Sequence, residues 1–80
     1  MMNMMTKPKE LLTYRTQNGD KLFILICQDF GSNCFFRALY CYQNYEDTIA
    51  VHDDISFIEY KIKMFVEDRN LELIDSELLD

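Results

Sequence analysis

Residues 11–16, Leu-Leu-Thr-Tyr-Arg-Thr, are rich in strand formers, Asn18 and Gly19 can take the positive φ angles of a type I′ turn, and residues 21–27 form a second apolar run. This pattern predicts a β-hairpin. The second strand, Leu-Phe-Ile-Leu-Ile-Cys at 22–27, is continuously apolar instead of alternating, the signature of a strand covered on both faces. Residues 29–33, Asp-Phe-Gly-Ser-Asn, break the run, because Gly31 permits unusual backbone angles and Ser32 or Asn33 can cap a helix. Residues 34–42 carry one charge, Arg37, and read as a helix buried on most sides, which Arg37 would anchor through a carboxylate or carbonyl. Residues 43–54 read as a polar loop ending in Asp53 or Asp54 as N-cap. Ile55, Ile58, Ile62, Phe65 and Val66 then fall at the spacing of an amphipathic helix. After the apolar stretch 71–74, Asp75 or Ser76 can cap a further helix as the chain stops. The fold class expected is therefore α+β, a β-hairpin followed by two helices.

Eighty residues and 9.6 kDa allow one small domain or part of a larger one. The expected division is a disordered segment over 1–10 and a folded, incomplete domain over 11–80. With 49% apolar residues the chain is too hydrophobic for intrinsic disorder. Area scaling lets a chain of this size bury only about 63% of its surface. A central apolar strand and a helix buried on most sides need more cover than one amphipathic helix and an edge strand provide. A missing half is expected, as further sequence, a partner chain or self-association.

Fourteen acidic against eight basic residues give a net charge of −6, and no Lys/Arg cluster is present, so nucleic acid is not an expected partner. Residues 67–80 are acidic and read as a solvated surface. The longest apolar run is far shorter than the roughly 20 residues that span a bilayer, and the first ten residues lack the apolar region of a signal peptide, so an intracellular, cytoplasmic setting is expected. Three cysteines cannot all pair internally and are expected as reduced thiols.

A helix starting at Cys34 would place that thiol at the positive end of the helix dipole, among unsatisfied backbone N–H groups that favour thiolate. Those groups, with the loop Gly31, Ser32 and Asn33, could hold an oxyanion. The same position is commonly filled by a packing cysteine. Cys27, Cys34, Cys41 and His52 have the composition of a zinc site but not its short ligand spacings, so neither metal nor cofactor is expected. His52-Asp53-Asp54 reads as a solvated helix start, and the tyrosines and phenylalanines, without interleaved basic residues, as core and rim.

The unbroken run Asn33-Cys34-Phe35-Phe36-Arg37-Ala38, with an apolar strand before it, resembles the nucleophile motif of the ovarian tumour (OTU) family of papain-like cysteine proteases, which typically reads Asp-Gly-Asn-Cys, then Leu or Phe, Phe, Arg, Ala. Residues 52–66 are similar to the family's His-led helix, and the resemblance spans about residues 22–75. It implies a deubiquitinating thiol hydrolase, with ubiquitin or a ubiquitin-like protein as partner and Cys34 as nucleophile. Gly31 stands where the family has its Asp, which leaves Asp29 as the candidate acidic residue. The family's catalytic His lies late in a longer domain and has no counterpart before Asp80. His52, at the far end of the expected helix pair from Cys34, is expected as the residue leading into the helix. The resemblance leaves two functions open: the nucleophile half of an OTU-like protease, or a truncated, inactive interaction module of the kind a virus or mobile element could encode.

Overall fold

The computed structural model describes residues 5–30 and 35–79. In chain order its elements are β1 (Met5–Arg15), β2 (Lys21–Phe30), β3 (Phe35–Tyr42), β4 (Tyr45–His52), α1 (Ile55–Arg69) and β5 (Glu72–Leu78). The strands form one antiparallel sheet in the order β4-β3-β2-β1-β5. The fold is therefore a five-stranded sheet carrying a single helix, which overturns the expected hairpin followed by two helices.

The β1–β2 hairpin is present, with Leu12 opposite Ile24 and Tyr14 opposite Leu22. Its strand starts at Met5, so its first six residues come from the segment 1–10. The turn differs from type I′. Only Gly19 takes a positive φ, 88°, and the Gly19 N–H bonds the Thr16 carbonyl at 2.9 Å, as in a type I turn closed by a left-handed glycine.

The first of the two expected helices is strand β3. An apolar stretch of this length fits a buried helix or a strand equally well by periodicity, and its aromatic and cysteine content suits a pleated surface. As a strand it puts Phe36, Ala38, Tyr40 and Tyr42 on one face and Phe35, Arg37, Leu39 and Cys41 on the other. The expected polar loop at 43–54 is mostly strand too. Tyr42 pairs with Tyr45 across a two-residue turn in which Gln43 has φ 57°, and Thr48, Ile49 and Val51 supply the β-branched residues of β4.

Helix α1 forms where its spacing places it. The Asp54 carboxylate caps it by accepting from the Ser56 N–H at 2.9 Å, and Asn70 closes it in the left-handed conformation at φ 52°. Ile58, Ile62 and Phe65 are its buried side. Residues 71–78, expected to lead into another helix, instead return as β5 along the free edge of β1.

One sheet face holds Tyr14, Leu22, Ile24, Ile26, Ala38 and Ala50 against Ile58, Ile62 and Phe65, and this is the core. Ala38 and Ala50 face each other on β3 and β4, the strands nearest the helix, and their small side chains let α1 approach closely. No helix among the described residues is long and apolar enough to cross a membrane.

Candidate functional site

Because side chains alternate across a strand, each residue of β2 that points at the helix has neighbours that point away. The away-facing set is apolar in the middle. Leu25 pairs with Leu11 on β1 and Leu39 on β3, so three leucines form a row across the three central strands. On one side of that row lie Thr13, Phe23, Cys41 and Glu46. On the other lie Pro8, Cys27, Arg37 and Val51. Phe23 is 38% and Val51 49% exposed, and among the described residues no element covers this face, since α1 lies on the opposite one. The continuous apolar run of β2 is expected to be covered on both faces, but among the described residues only the face under α1 is covered.

At one end of the open face, Asp29 is 4% exposed. Its carboxylate accepts from Arg37 Nη2 at 2.5 Å and from the Thr6 hydroxyl at 3.0 Å. Arg37 does find a carboxylate, as its sequence context suggests, but it holds two strands together and anchors no helix. Arg37 Nε has no partner among the described residues. Asp29, the candidate acidic helper, is thus committed to a structural ion pair, which leaves neither carboxylate oxygen free to orient an imidazole.

Cys27, beside Arg37 on the same face, is buried. Burial pushes its thiol pKa up, the Asp29 carboxylate adds to the rise, and the Arg37 guanidinium offsets part of it. Burial, and secondarily Glu46, also raises Cys41. Thiolate chemistry is therefore suppressed at both. In native protein at pH 7.5, alkylation of Cys27 by iodoacetamide, followed by peptide mass mapping, should run about 100-fold slower than in urea. Equal rates would show that this thiol is neither shielded nor raised.

Cys34 and the loop Gly31, Ser32 and Asn33 lie outside the described residues. Phe35, the next residue after Cys34, begins a strand, so the helix whose dipole was expected to activate Cys34 does not start there. His52 also stands differently from expectation. It pairs with Phe36, at the end of the sheet where β3 begins, instead of at the far end of a helix pair. Its Nδ1 accepts from the Asp54 N–H at 3.0 Å, and its ring stacks on Phe57 at 4.4 Å between centroids. The same Nδ1 lies 3.2 Å from the Asp53 carboxylate.

Sequence reasoning also missed an open groove of about 350 Å³ near the C-terminal end of α1, lined by Tyr40, Tyr42, Tyr45, Leu71 and Arg69 among others. The Tyr42 hydroxyl donates to Asp20 at 2.9 Å, and that bond raises its pKa; Tyr45 is raised in the same way by Asp47. The Arg69 guanidinium sits 3.8 Å from the Phe65 ring centre. These groups are satisfied within the chain. No group of three or more metal-binding side chains occurs among the described residues. Compared with known proteins, the chain matches no family model, no curated protein and no solved structure.

Proposed function

We propose that this chain is a protein-interaction module without catalytic activity of its own, working through the uncovered face of its sheet. The observation that carries this reading is the apolar middle of that face, a half-buried Leu11-Leu25-Leu39 row flanked by exposed Phe23 and Val51, with the one helix among the described residues on the other side. Contiguous exposed apolar surface of a few hundred Å² is uncommon on a soluble monomer and typically marks an interaction site. One feature weighs against acyl-transfer chemistry: the Asp29 carboxylate is held by Arg37 and Thr6.

The second reading, an OTU-like thiol hydrolase fragment acting on ubiquitin or a ubiquitin-like protein, is favoured by one specific observation, the six-residue match from Asn33 to Ala38. A ubiquitin carrying a thiol-reactive C-terminal group separates the two. Intact mass after incubation should show no adduct on the folded chain. An adduct that disappears in Cys34→Ala would replace the interaction reading with the hydrolase reading.

A further inference from the structure

We infer that the open face docks on a second copy of this chain, sheet face to sheet face, with the two-fold axis running across the strands along the Leu11-Leu25-Leu39 row. The inference rests on the interaction-module reading and names its partner.

Size is the first argument. About twenty outward-facing positions over the five strands, at about 4.8 Å by 6.7 Å each, give a flat area of roughly 600 Å² per copy, or about 1,200 Å² for a pair, the threshold of a standard stable interface. The second argument is symmetry. β2 is the middle strand of the sheet, and the leucine row crosses it, so a two-fold along the row sets each leucine against its own counterpart and Phe23 against Cys27 of the other copy. Sheets packed this way keep their strands nearly aligned, about 10 Å apart.

Charge selects the axis. The two-fold across the strands brings the row of Lys21 opposite the row of Asp29, and sets Glu46 one strand away from Arg37 of the other copy. The alternative two-fold, along β2, would place Lys21 on Lys21, Asp29 on Asp29, and Glu46 on β4 against Asp75 on β5. The second arrangement stacks Lys21 on Lys21 and Glu46 on Asp75, where the first sets Lys21 against the internally paired Asp29 and Glu46 near Arg37. Like charges across an interface disfavour the second. At the acidic β5 edge Glu77 meets its own counterpart, but at the solvated rim, where screening is strong.

Sedimentation equilibrium on the full chain tests this. The wild type should sediment at twice the 9.6 kDa chain mass. Leu25→Glu, in the centre of the face, should return it to the monomer mass. Glu46→Lys, exposed at the rim and unable to disturb the core, should weaken the dimer about tenfold by setting a lysine beside Arg37 of the other copy. A wild type that stays at monomer mass up to about 1 mM overturns the inference. So does a dimer that survives Leu25→Glu, or one that Glu46→Lys strengthens, because the axis along β2 would set that lysine against Asp75. The outcomes stay separable from the underlying reading: a monomeric wild type overturns self-docking, an adduct on Cys34 overturns the interaction reading, and neither stands in for the other.

Discussion

Ile58→Ala should leave this domain largely unfolded at 25 °C. Ile58 is fully buried, at 0% exposure, on the side of α1 that faces the sheet, and Ile24 on β2 is the other large side chain buried as completely. Removing an Ile side chain from such a site costs about 2–5 kcal/mol, the lost transfer energy plus the cavity left behind. A domain of this length rarely commands more than about 3–5 kcal/mol in total. Urea titration followed by far-ultraviolet circular dichroism should therefore show the transition almost lost in Ile58→Ala, whereas Ile58→Val, at about 1 kcal/mol, should keep a clear midpoint shifted to lower urea. The effect should be this large because the core is one layer deep: α1 on one sheet face is all there is among the described residues to share the load. A midpoint unchanged in Ile58→Ala would mean that α1 is not seated on the sheet.

The second large effect should come from the Asp29–Arg37 pair. The Asp29 side chain is 5% exposed and that of Arg37 41%, so the carboxylate is the desolvated partner and the guanidinium reaches water. Arg37→Met takes away the positive charge and leaves the carboxylate in place with only the Thr6 hydroxyl. For a fully buried pair such a change costs about 3–5 kcal/mol; because Arg37 is partly solvated, about 2 kcal/mol is expected here. Asp29→Asn in the Arg37→Met background should recover most of that loss, since the amide oxygen still accepts from Thr6 and no charge remains to desolvate. The double-mutant cycle, read by urea midpoints, thus reports a coupling of about 1–2 kcal/mol. Two single substitutions costing nothing and showing no coupling would mean that the pair is open to solvent and leaves Asp29 available for other work.

Asp29 also illustrates why a motif can be read and its chemistry still be misplaced. Five residues before Cys34, it is the nearest acid by sequence position, but a strand sets its neighbours across the ladder, and the register brings Arg37 and Thr6 to it. The same register carries His52 to Phe36, a proximity that no spacing along the chain contains. Both outcomes depend on which strands pair.

Local patterns alone determined the β1–β2 hairpin with a glycine at its tip, though not the turn type, and the amphipathic helix from Ile55 with an aspartate cap at 53 or 54, of which the structure uses Asp54. Each depends on interactions within a few residues: a positive φ that glycine adopts freely, a carboxylate reaching a nearby N–H, and an apolar stripe every three to four positions. The two-faced apolar character of β2 was legible too. Only the tertiary structure decided that residues 35–42 are a strand, that residues 45–52 and 72–78 join the sheet, and that α1 covers just one side of it. The reason is physical. A short run such as Phe-Phe-Arg-Ala-Leu-Tyr-Cys-Tyr buries comparable surface as helix or strand, and the choice is made by the backbone partners a sheet provides, which lie far away in sequence.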